Sequence, residues 1–167
     1  MKVSDILRVK GNTLYTITPE DSLADAARIM DEKDIGSLVV LSNGRVVGML
    51  TFREVIRATL GNGGSLGTTS VYRAMDPGPL ICTLATEMDD VRRMMLDTHA
   101  RYMPVIESNA LVGVVSFYDV AKAVVDAQNF ENRMLKAYIR DWPENKDTEA
   151  AAAAPGSREN PSGNAAA

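Results

Sequence analysis

The stretch "GVVSFYDV", residues 113–120, sets a glycine at the head of an apolar run and follows it with a hydroxyl, an aromatic residue and an acid. Sixty-five positions earlier the chain reads "GMLTFREV", residues 48–55, in the same order of residue types. The match extends in both directions. Residues 16–58 pair without a gap to 81–123, so that Thr18 meets Thr83, Asp25 meets Asp90, Arg28 meets Arg93 and Met30 meets Met95. Further along, Val40 meets Val105, Val47 meets Val112 and Ala58 meets Ala123. Upstream, "VSDIL" (3–7) resembles "VYRAM" (71–75) at a shift of 68, so the first copy carries about three extra residues around "RVKGNTLY". The chain is a tandem repeat, and the fold has to be read as two copies of one unit.

Each copy shows the same order of elements. "SLADAARIM" (22–30) places Leu23, Ala26, Ala27 and Met30 on one helical face, and "EMDDVRRMM" (87–95) repeats the pattern with Met88, Val91 and Met95. Thr86 with Asp89 is the expected capping pair of the second helix. Two apolar runs joined by a turn follow, "SLVVL" (37–41) to "RVVGMLT" (45–51) through "SNG", and "MPVI" (103–106) to "LVGVVS" (111–116) through "ESNA". These are β-hairpins. A helix starts at Phe52 and again at Phe117, and short first strands are expected at "YTIT" (15–18) and "LICT" (80–83). The fold class is therefore α+β (mixed α/β), with two pseudo-symmetric β-α-β-β-α repeats packed sheet to sheet. Each copy alone has too little surface to bury. The expected division is residues 1–62, a glycine-rich flexible linker 63–70, a second repeat 71–126, a C-terminal helix 127–143, and a disordered tail 144–167 without large apolar residues.

Bulk properties exclude several functions. The 167 residues carry a formal net charge of −4 and a pI near 5.0, which disfavours nucleic acid as a partner. Cys82 is the only cysteine, so no internal disulfide forms. The N-terminus "MKVSDILRVKG" lacks the apolar core of a signal peptide, no apolar run spans a membrane, and a cytoplasmic location is expected. The lone His99 reads as a surface or hinge residue, and with Cys82 on a separate strand it forms no metal cluster. Asp89 and Asp90 diverge on their helix, and neither Ser116 nor Thr51 has a histidine to activate it, so no catalytic set is visible.

The segments "TFRE" (51–54) and "SFYD" (116–119) support two readings. As helix starts, Thr51 and Ser116 are N-caps, and Glu54 and Asp119 close capping boxes. As ligand sites, a strand entering a helix N-terminus offers N–H groups to an anion, a strand glycine admits a close neighbour, and the carboxylate accepts two hydrogen bonds from a ribose diol. The two readings are compatible.

The paired repeat resembles a tandem of CBS domains (cystathionine β-synthase type), a Bateman module, over about residues 1–125. The resemblance rests on "VSDIL" and "VYRAM", "TPEDSLADAARIM", "YMPVI" and the twice-written glycine–apolar–apolar–hydroxyl–x–x–acid motif. "ENRMLKAYIRDW" also looks like the final helix of short bacterial proteins made only of a CBS pair. The resemblance implies a non-catalytic regulatory module whose clefts take AMP, ADP, ATP or NAD, and sometimes S-adenosylmethionine, and which signals to a regulated protein. A ligand-free structural dimerisation module is the alternative. The resemblance implies Asp119 on the ribose, Ser116 on ribose or phosphate, and Arg101 and Tyr102 at phosphate and adenine. Val114, Met103 and Ile35, with Tyr15, Thr16 and Gly36, would wall the base. In the mirror site Thr51 and Glu54 take these roles beside Met49, Ser37 and Ile81. Glu54 departs from the family's aspartate, and Gly36 stands where the second copy has Arg101, so the Asp119 site is expected to be the main one. A homodimer is also implied, with Met94, Met95, Phe117, Val120, Val124, Phe130 and Leu135 as candidates for its seam.

Overall fold

The computed structural model describes residues 1–142, and the tail expected at 144–167 lies outside the described residues. The chain divides into two compact units, Met1–Ala127 and one that begins at Gln128. The first unit opens with α1 (Val3–Lys10), β1 (Thr16–Ile17), α2 (Leu23–Lys33), β2 (Ser37–Ser42), β3 (Arg45–Thr51) and α3 (Phe52–Gly61). It repeats the order with α4 (Val71–Ala74), α5 (Met88–Thr98), β4 (Tyr102–Glu107), β5 (Ala110–Ser116) and the start of α6 (Phe117–Arg140). Where two helices were expected, on either side of residue 127, α6 is one helix of 24 residues. No glycine or proline interrupts "AVVDAQNF" (123–130) to stop it, and Lys122 pairs with Asp126 one turn on, at 2.6 Å. In the second unit Phe130, Met134, Leu135 and Tyr138 are exposed, and Tyr138 meets Trp142 edge to face at 5.1 Å.

The repeat is visible in the hydrogen-bonding register. β1, β2 and β3 form one sheet, with β1–β2 parallel and β2–β3 antiparallel. β4 and β5 form the second, and the expected first strand of that copy is reduced to a single parallel bridge between Cys82 and Val105. Each hairpin turns on two residues of positive φ, Asn43 and Gly44 in the first and Ser108 and Asn109 in the second. Such turns match the right-handed twist of the strands. Each hairpin also shifts register at the same place, between Val40 and Leu41 and between Val105 and Ile106.

The halves are joined by an exchange of their leading helices. Val3 and Leu7 of α1 lie in the core of the second copy, with Cys82, Met88, Val91, Met95, Met103, Val105, Val115 and Val120. Val71 of α4 lies in the core of the first, with Ile17, Leu23, Ala26, Met30, Leu38, Val40 and Leu50. Main-chain bonds mirror the exchange. Val3 and Ser4 donate to Thr86 and Leu84, while Val71 and Tyr72 donate to Asp21 and Pro19. Within the glycine-rich segment Thr69 accepts from Leu23 N–H at 2.8 Å, and Leu66 packs on the first core.

That exchange explains the two motif glycines. A Cβ on Gly113 would lie 2.6 Å from Leu7 Cδ1, and one on Gly48 would lie 2.6 Å from Met75 Sδ and 2.7 Å from the Asp76 carbonyl. The close neighbour admitted by each glycine is the exchanged helix or the residues that follow it. Two other expectations are corrected. α5 starts after Glu87, and Thr86 instead accepts from Thr83 N–H, so Thr86 and Asp89 do not cap it. Met95 and Val120 are about 1% exposed within the second core and cannot form a dimer seam.

Three measurements test this packing. Gly113→Ala should lower stability to urea by about 1–3 kcal/mol, because the added methyl overpacks Leu7. Gly78→Ala, where a Cβ meets nothing within 4 Å, should stay within about 0.5 kcal/mol. Burial pushes the Cys82 thiol up to about 11. The native thiol should therefore react with disulfide reagents at pH 8 far more slowly than the urea-unfolded chain. A thiol of raised pKa contributes stability below its unfolded value of 9.0 and loses it as pH climbs to about 11, so Cys82→Ala should flatten that loss.

Candidate functional site

β5 runs straight into α6, and the junction is held by a reciprocal cap. Asp119 N–H donates to Ser116 Oγ at 3.1 Å, and Ser116 N–H donates to Asp119 Oδ2 at 2.8 Å. The same carboxylate oxygen accepts from Lys10 Nζ at 2.6 Å, and Lys10 Nζ also donates to the Val114 carbonyl at 3.0 Å. Lys10 was not singled out from the sequence. Its only signal there is its place in the three-residue surplus of the first copy. The Asp119 side chain is 14% exposed and that of Lys10 is 41% exposed, so the pair is partly screened by solvent.

The β3–α3 junction follows the same plan, with Thr51 and Glu54 in place of Ser116 and Asp119. Glu54 Oε2 accepts from Thr51 N–H at 2.8 Å and from the Thr51 hydroxyl, and Arg53 N–H donates to Thr51 Oγ1 at 3.3 Å. Among the described residues no salt bridge reaches Glu54, whereas Asp119 has one.

The strand register gathers part of the expected site. Tyr102 stands opposite Ser116, and Ser37 stands opposite Thr51. The main chain of Arg101 accepts from Phe117 N–H at 2.8 Å, as Gly36 does from Phe52 N–H at 3.3 Å, so both loops sit at helix starts. Arg101 is exposed and Val114 is half-buried beside Lys10. Ile35 and Tyr15 are half-buried against the first core, Thr16 is exposed in β1, and Ile81 is 52% exposed.

Three residues depart from expectation. Met103 is fully buried in the second core and Met49 is 3% exposed, so neither side chain is free to wall a base. Both lie in strands covered on two sides, where alternation does not mark a solvent face. Gly36 is not an open wall either. A Cβ there would overlap the Tyr102 hydroxyl and approach the Phe52 ring at 3.3 Å. The residue is small because Tyr102 of the other copy rests on it.

A mostly apolar pocket of about 560 Å³ opens between α1 and the first turns of α6, lined by Ile6, Val9, Lys10, Asp119, Lys122 and Ala123 among others. No group of three or more His, Cys, Asp or Glu side chains suited to a metal occurs among the described residues.

The comparisons with known proteins bear on the same segments. The CBS domain family model matches residues 3–61 and 71–126. The chain belongs to the CBS domain family. It is 31% identical over 147 residues to the mitochondrial CBS domain-containing protein CBSX3 of Arabidopsis thaliana, covering 83% of this chain and 71% of that one. A solved CBS-domain containing protein from Agrobacterium tumefaciens is 32% identical with a TM-score of 0.71, covering 74% of this chain and 98% of that one. Two more distant structures share the fold. CBSX2 in complex with AMP is 24% identical with a TM-score of 0.65, covering 76% of this chain and 98% of that one. A CBS domain pair in complex with 5′-methylthioadenosine and S-adenosyl-L-methionine is 20% identical with a TM-score of 0.64 over the same shares. The CBS pair accounts for nearly all of each of the solved chains, as it does for the first compact unit here.

Proposed function

We propose that this CBS pair is a non-catalytic regulatory module that binds an adenine nucleotide at the Asp119 end of α6 and transmits its occupancy to a regulated protein. One observation carries the reading. The cap and Lys10 engage only Oδ2 of Asp119, and Oδ1 accepts no hydrogen bond from the described residues. A carboxylate fixed at a helix start with one oxygen uncommitted suits a ribose hydroxyl pair. The adenosine-type ligands bound by two proteins of the same fold support the choice of ligand class. AMP is the first candidate, with ADP, ATP and NAD sharing the same ribose and base. The exposed Arg101, at the loop before β4, is the proposed phosphate contact.

The module acts as a homodimer in this reading. Phe52, Ile56 and Leu60 are 53–75% exposed at i, i+4 and i+8 of α3, and α6 exposes Phe117 and Val125 at matching positions. An apolar stripe of this kind calls for burial against another helix. Among the described residues no helix is long and apolar enough to cross a membrane, which suits the cytoplasmic role proposed.

Titration calorimetry of AMP against the parent chain and Asp119→Asn tests the reading. The substitution removes the charged acceptor of bonds worth about 1.5–3 kcal/mol, so affinity should fall about 10- to 100-fold. Glu54→Gln should weaken binding less. A chain that only dimerises gives no heat with AMP, ADP, ATP or NAD. An Asp119→Asn chain that binds AMP as the parent does reduces the motif to a helix cap.

A further inference from the structure

One polar difference between the two halves lies at the strand carbonyl beside each motif acid, and it reaches Asp119. In the first half the Met49 carbonyl accepts from Asp76 N–H at 2.9 Å. Val114 is the matching residue, but its carbonyl accepts from the Lys10 ammonium at 3.0 Å. The cause is helix length. α4 stops after four residues, ahead of Pro77, and the chain bends into an antiparallel bridge between Met49 and Asp76. α1 runs for eight residues to Lys10 and ends at Gly11, so its last turn reaches the strand with a side chain instead of a main-chain group. At the shift of 68 that relates the two leading helices, Lys10 falls on Gly78, which brings no charge. The Asp119 carboxylate is therefore met by an ammonium, and Glu54 is not.

We propose that Lys10 sets the ligand class of the Asp119 site, as an internal counter-ion that makes the site select phosphorylated nucleosides over neutral ones. The inference rests on the reading of Asp119 as the ribose acceptor. A ribose diol bonded across both carboxylate oxygens places one hydroxyl on the uncommitted Oδ1 and the other on Oδ2, where it competes with the Lys10 ammonium. A neutral nucleoside that displaces Lys10 leaves the ammonium without an anionic partner. A 5′-phosphate supplies one. Lysine carries a compact charge on a flexible stem, and this stem is partly exposed, so it turns away from Asp119 while Val3 and Leu7 keep α1 anchored. The Glu54 junction has no such cation and no such preference.

Adenosine and AMP are titrated calorimetrically into the full chain, into Lys10→Met, which keeps the stem and removes the charge, and into Lys10→Gln. Both variants should bind adenosine about fivefold more tightly than the parent, the scale of one partly exposed ion pair, and AMP with about the parent's affinity, so the preference for AMP over adenosine falls about fivefold. Arg101→Ala should weaken AMP without strengthening adenosine, which separates an ordinary phosphate contact from a displaced counter-ion. If the parent binds AMP and neither Lys10 variant gains adenosine affinity, Lys10 is only a structural ion pair and the nucleotide reading stands. If the parent binds neither ligand, both fall.

Discussion

The rest of the structure depends on the close seating of each leading helix on a strand of the other copy. Leu7 rests on Gly113, and Met75 with Asp76 rests on Gly48. A side chain at Gly48 would press on the Asp76 main chain, and one at Gly113 would force the end of Leu7 to move. With the helix seated, Val3 and Leu7 complete one core and Val71 completes the other. Each half thus owes part of its interior to a segment of the other, which suits units too small to stand alone. It also gives the motif glycines a packing role that holds whether or not a ligand binds.

The exchange also creates the difference between the two candidate sites. α4 and α1 begin alike, but α1 continues for another turn. That turn brings Lys10 to Asp119 and Val114, where the mirror position has a main-chain N–H and an isolated carboxylate at Glu54. The pseudo-symmetric folding plan is shared, and the electrostatics are not. A short length difference far from the motif alters the chemistry of one motif carboxylate.

Much of the fold was legible in the sequence because its signals are local. The hairpins are written in apolar runs around "SNG" and "ESNA", and the positive φ of Asn43, Gly44, Ser108 and Asn109 is what such residues tolerate. The helix read from the apolar face of "SLADAARIM" forms as α2 (Leu23–Lys33). The exchange of leading helices was not legible, since "VSDIL" and "VYRAM" present similar apolar faces and spacing within one copy does not say which core each completes. Lys10 was hidden for a related reason, because the extra residues of the first copy read only as a break in the repeat. Met103 and Met49 were misassigned because β3 and β4 are buried on both faces near their centres. Tyr102 on Gly36 was likewise a contact between copies, invisible to spacing within one.

On the proposed function, the end of α1 and the start of α6 respond to a bound nucleotide as one site. Hydrogen–deuterium exchange of the whole chain, with and without saturating AMP, tests it most directly. AMP should slow exchange together at residues 114–119 and at residues 8–13, with smaller changes at 49–54. Protection confined to 49–54, or none at the end of α1, would contradict it.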